Sequence, residues 1–285
     1  MATPHFIRRY PVAAYFVLTF AISWGGFIAA VGPAGLLAGT EAEFEVKIPL
    51  VAFAMLAGPS VAGLLLTGLV SGKAGLRELF AGLAKWRVGW RWYAFALLIA
   101  PLVTAAPLLP LGLSAQVFTA ADKLAVILPG LFAGLTVVLE EIGWTGFATP
   151  RLRTRYGVLA TGIIVGIPWG LWHLLQIIWV SGAYAASVPL AVFAPLSVLS
   201  GIAGLTAYRV LLVWLHDRTG SLLIVTLMHA SLTACNVFIF RPEASGRSFL
   251  AYGGSLFAVE CLVVVAMAAA NGWRLTRQPS PQLAK

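Results

Sequence analysis

Five ionisable side chains stand inside long apolar stretches of the sequence: Glu140, Glu141, His173, His229 and Glu260. On insertion scales an ionisable group in hydrocarbon costs at least ~2.5–3.5 kcal/mol, so their presence asks for a reason. Carboxylates close to imidazoles can take up and return protons near neutral pH, which is the equipment for activating a water molecule. Adjacent glutamates on a helix point about 100° apart, so one can face a reacting centre while the other bonds to a neighbouring helix. Thr233 and Asn236 follow His229 at i+4 and i+7 and share its helical face. The three could line a polar cavity. Trp169 stands four residues before His173, and Trp172 and Trp179 add aromatic surface that reads as packing. Glu140, His173 and His229 also form a familiar zinc ligand set. The tight HExxH spacing is absent, and a metal-independent scheme without a cofactor is favoured.

These residues need helices to position them. The chain has 285 residues, of which 60% are apolar and only 10% charged, far from the balance of a soluble domain. Apolar stretches run at about 11–31, 48–70, 92–113, 124–149, 157–180, 188–207, 221–240 and 250–270. Each is long enough to cross ~30 Å of hydrocarbon, so the expected fold is an all-α polytopic membrane protein with about eight transmembrane helices. The first stretch follows Arg8 and Arg9 but is too long for a signal-peptide core and reads as an uncleaved helix. Counted from the inner span ends, Glu140 lies roughly 15 Å deep, His173 roughly 24 Å and His229 roughly 12 Å. All three depths fall mid-membrane, and ordinary tilt can bring them together.

The net charge of +9 is distributed by the bilayer's own rule. With the N-terminus inside, 15 of the 19 basic residues fall on inner segments, from Arg8 and Arg9 through Arg151, Arg153 and Arg155 to Arg277 and Lys285. Outer loops carry Glu41, Glu43, Glu45, Asp122 and Glu243. Both termini are therefore expected in the cytoplasm of a bacterial plasma membrane, and nucleic-acid binding is not expected. Residues 71–91 mix basic and apolar side chains in a pattern that suits either an amphipathic helix on the inner surface or a solvated loop. Arg209, about 21 residues into its span, reads as an interfacial cation snorkelling to the inner surface. Cys235 and Cys261 show no paired spacing, so neither a disulfide nor a zinc-thiolate site is indicated.

Read together, Glu140-Glu141-Ile-Gly-Trp-Thr-Gly-Phe, then Pro168-Trp-Gly-Leu-Trp-His173, then Leu227-Met-His229-Ala-Ser-Leu resemble the CPBP family. That family includes the type II CAAX prenyl endopeptidases and the bacteriocin-processing and immunity proteins of the Abi type. The similarity covers about 124–240. Its motifs are EExxxR, an aromatic followed by xxxH, and HxxxN or HxxxD. Glu140 and Glu141 match the paired acids, His173 the second motif with Trp169 where Phe is usual, and His229 the third. Thr145 occupies the usual Arg position, for which Arg151 is a candidate replacement. Thr233 occupies the usual Asn or Asp position, for which Asn236 is the candidate.

The resemblance implies an intramembrane endopeptidase in which a glutamate and a histidine activate water against a membrane-associated peptide or protein. It divides the chain into N-terminal helices at 1–123, a catalytic core at 124–240, and a last helix with its tail at 241–285. Two other readings stay open. A non-catalytic immunity or scaffold protein would account for Thr145 and Thr233, and a proton- or cation-coupled transporter would use Glu140, Glu141 and Glu260 as a relay.

Overall fold

The computed structural model describes residues 5–32, 35–36 and 41–276. A backbone in hydrocarbon must satisfy its own N–H and C=O groups, and the apolar stretches are helical accordingly. A short α1 (His5–Arg9) leads into α2 (Pro11–Val31), α3 (Glu41–Leu83), α4 (Trp90–Ala105) and α5 (Gln116–Thr119). One long run then comprises α6 (Leu124–Thr136), α7 (Val138–Gly143), a π-helical turn at Trp144–Ala148 and α8 (Thr149–Arg153). It is followed by α9 (Val158–Trp172), α10 (Leu174–Tyr184) and α11 (Leu190–Thr219). The chain closes with α12 (Leu222–Thr233), a second π-helical turn at Ala234–Ile239, and α13 (Gly246–Ala270).

Among the described residues six helical runs are long and apolar enough to cross a membrane, and a seventh is the α9–α10 pair, bent by 53°. The eighth expected span differs: α4 has 16 residues, about 24 Å at 1.5 Å per residue, and falls short of the hydrocarbon thickness. Pro107 brings no N–H to continue its ladder, and the chain turns there. The protein is an integral, polytopic, all-α membrane protein. Residues 71–91 combine both expectations. Gly72, at φ 63°, breaks α3; the following turns bury Gly75 and Leu79 and expose Lys73, Arg77 and Phe80. A loop then carries Lys85, Trp86 and Arg87. Arg277 and Lys285 of the inner basic set, and the side chains of Glu41, Glu43 and Glu45, lie outside what is described. Both cysteines are free.

Close helix contacts decide where the site forms. Gly162, Gly166 and Gly170 form a ridge along α9, and a Cβ placed on each would stand 2.7 Å from the Cα of Val210, Thr206 and Ile202 respectively. Such small-xxx-small ridges let membrane helices approach backbone to backbone. In the same way Gly63 of α3 admits α7, because a Cβ there would lie 2.8 Å from the Cα of Gly143. These contacts seat α9 against α11, which carries Arg209, and α3 against α7, which carries Glu141.

Candidate active site

Glu140 and Glu141 take different neighbours because they diverge around α7. Glu141, fully buried, accepts from Arg209 Nη1 at 3.0 Å on each carboxylate oxygen. It also accepts from His229 Nδ1 at 2.8 Å and from the Thr145 hydroxyl. Three donors from two other helices and its own turn compensate a carboxylate removed from water. Glu140 turns to a cavity of about 590 Å³ lined also by Trp169, His173, His229, Thr233, Asn236 and Glu260. One of its oxygens is held, since Trp169 Nε1–H donates to Oε2 at 2.9 Å.

His173 stands at the 53° bend between α9 and α10. The bend frees the Trp169 carbonyl, which lies 2.9 Å from His173 Nδ1. A carbonyl can only accept, so Nδ1 carries the proton and Nε2 of the neutral ring keeps its lone pair. His229 likewise directs Nδ1–H to a carboxylate oxygen of Glu141, a bond that a singly or doubly protonated ring makes equally well. Ser221 caps α12, accepting from Ile224 N at 3.2 Å and donating to the Lys85 carbonyl at 2.7 Å. Further along, Tyr208 donates to the Met228 carbonyl at 3.0 Å, fixing α12 beside His229.

Two residues differ from their expected roles. Arg209 does not snorkel: it is fully buried, paired with Glu141, and its Cζ lies 3.9 Å from the Trp169 ring centroid. The reason is that α11 continues ten residues beyond it to Thr219, about 15 Å, which puts Arg209 deep in the span. Trp169 is more than packing. Its indole holds Glu140, its carbonyl holds His173, its face carries Arg209, and its ring meets that of His229 edge-on at 5.0 Å. Trp179 packs edge-on against Phe27, as expected, whereas Trp172 lines the cavity and meets the His173 ring edge-on at 4.7 Å.

Residues 119–235 match the family model described as type II CAAX prenyl endopeptidase Rce1-like. Over this stretch the chain is similar to the CPBP family. It is also 40% identical over 50 residues to CAAX prenyl protease 2 of Methanococcus maripaludis, a stretch covering 18% of each chain. It thus spans under a fifth of the curated relative it matches.

The departures from the CPBP pattern now have a geometric account. Thr145, at the usual Arg position, hydrogen-bonds Glu141, and Arg209 Nη1 reaches within 3.4 Å of its hydroxyl. The guanidinium of this site therefore comes from α11. Arg151 does not replace it, because it is bound to the Phe147 carbonyl and the Ser71 hydroxyl, both at 2.9 Å, and stacks on Phe147. The indole at 169 supplies a donor that the usual Phe lacks. Thr233 and Asn236 both line the cavity with His229; the π-helical turn from Ala234 intervenes between them.

As placed, the zinc set does not fit. Among the described residues no three His, Cys, Asp or Glu side chains are gathered to hold a metal ion.

Proposed function

We propose that this chain is an intramembrane endopeptidase that hydrolyses a peptide bond in a membrane-associated substrate, prenylated or bacteriocin-like. The observation that carries the reading is Glu140, buried on the cavity wall with one carboxylate oxygen fixed by Trp169, in the same cavity as His173, whose Nδ1 is engaged by the Trp169 carbonyl. Water between them loses a proton to this pair as its oxygen attacks the scissile carbonyl carbon. The proton then passes to the amide nitrogen as the C–N bond breaks. Such general acid–base groups are worth roughly 10²–10⁴-fold.

Protonated on both nitrogens, with Nδ1–H on Glu141, His229 donates from Nε2–H to the oxyanion together with Thr233 or Asn236, a contribution of about 2.7–4 kcal/mol where one donor has been removed in other enzymes. Glu141 stays out of the proton transfers. Arg209, Thr145 and His229 hold it, and it in turn orients the His229 ring. The step as proposed uses no metal. The basic inner segments support a bacterial plasma-membrane location with both termini cytoplasmic.

The test is cleavage of a membrane-embedded reporter peptide by the purified protein in detergent. The wild type is expected to release both fragments, and Glu140→Gln to lose at least about a hundredfold while remaining folded. Equal turnover by the two would overturn the reading.

A further inference from the structure

Glu260 has no part in the steps above, yet it is only 2% exposed and stands on the wall of the same cavity. Gly204 makes room for it, since a Cβ on that glycine would lie 3.0 Å from Glu260 Oε2. Gly204 is one turn from Tyr208, whose hydroxyl is bonded to the residue preceding His229, so Glu260 sits close to the level of the reacting groups.

Its Oε2 has no hydrogen-bond partner. Among the described residues no Lys, Arg or His pairs with it, and its titratable neighbours include Tyr208, Tyr252 and Cys261. A buried acid without a cation is an expensive thing to place in a membrane span. Two more buried oxygens on the cavity wall lack partners, Oε1 of Gln176, three residues beyond His173, and Oγ of Ser197. All three can accept hydrogen bonds. Much of the remaining wall is apolar, including Met55, Val180, Phe193, Leu205 and Leu256. A long aliphatic stem ending in several N–H donors matches both properties.

We propose that Glu260 forms a specificity subsite for the ammonium or guanidinium of a lysine or arginine in the peptide, with the Gln176 oxygen as a second acceptor. Occupancy compensates the buried carboxylate and fixes the register in which the peptide lies past Glu140 and His173. The proposal rests on the endopeptidase reading for the nature of the ligand, but not on turnover.

The experiment measures binding of fluorescent, acylated peptides to the Glu140→Gln protein in detergent. Lysine, or norleucine in its place, is scanned through successive positions. At one position lysine is expected to bind at least about tenfold more tightly than norleucine, the scale of a charge-assisted hydrogen bond. Adding Glu260→Gln should reduce that preference to about twofold or less, and Gly204→Ala, which displaces the carboxylate, should weaken it. Binding of the norleucine peptide reports that each variant is folded. The absence of a lysine preference at every position, or a preference that survives Glu260→Gln, overturns the subsite. A Glu260-dependent preference in a protein whose wild type cleaves nothing upholds the subsite and refutes the endopeptidase reading. Cleavage without any such preference does the reverse.

Discussion

Replacing Arg209 with methionine removes a guanidinium of which Nη1 touches both oxygens of Glu141 at 3.0 Å, with both side chains fully buried. Breaking a buried ion pair from one side leaves a desolvated charge and costs about 3–5 kcal/mol. Nη1 alone engages the carboxylate, and His229 and Thr145 still donate to it after the change. The loss therefore belongs at the lower end, about 3 kcal/mol. At roughly 2–4 °C per kcal/mol, the midpoint of thermal unfolding in detergent should fall by about 6–12 °C at a fixed scan rate. The double variant Arg209→Met with Glu141→Gln removes both charges, and its amide oxygen can still accept from His229. It should recover most of the loss, because it is the orphaned charge that destabilises. An Arg209→Met midpoint within about 2 °C of wild type would refute the buried pair and restore Arg209 to the interface. A double variant no more stable than the single one would refute the electrostatic reason for it.

Four further outcomes follow. Trp169→Phe, which restores the aromatic usual in the family but deletes the donor to Glu140 Oε2, should lower kcat by about tenfold or more with little change in KM, measured on the reporter peptide. Asn236→Ala should cost something like the ~2.7–4 kcal/mol of an oxyanion donor in kcat/KM, and Thr233→Asn should rescue it; unchanged turnover in Asn236→Ala with loss in Thr233→Val makes the hydroxyl the donor instead. Prolonged phenanthroline treatment should leave cleavage intact, and stoichiometric zinc in purified active protein would contradict the metal-independent scheme. A cysteine placed at Arg155, between α8 and α9, should react with an impermeant label only after cells are permeabilised; labelling of intact cells would invert the topology.

The four candidate residues were legible because an ionisable side chain in an apolar run is costly wherever its helix ends up. Glu140, Glu141, His173 and His229 needed no contact map. Arg209 was missed because its span was ended at 207, when the sequence 210–215 after it, VLLVWL, continues the apolar helix. That run was the available signal, and the GxxxGxxxG ridge at Gly162, Gly166 and Gly170 was a second, since it marks the helix against which α11 packs. Trp169 carried no comparable signal. An indole that packs and an indole that holds a carboxylate have the same periodicity, and only the bend at His173, next to Pro168, tells them apart. Depth counting gave His173 about 12 Å of separation from His229. In the structure both histidines line one cavity, and the Trp169 ring meets each of theirs edge-on.

The central claim is that water, activated at Glu140 and His173, becomes part of the cleaved peptide. Its most direct test is digestion of the reporter peptide in heavy-oxygen water, with mass spectrometry of the new C-terminus. One heavy oxygen per cleavage is expected in the fragment from wild-type protein, and no such fragment above background from Glu140→Gln. Fragments of equal yield and equal labelling from the two proteins would contradict the account.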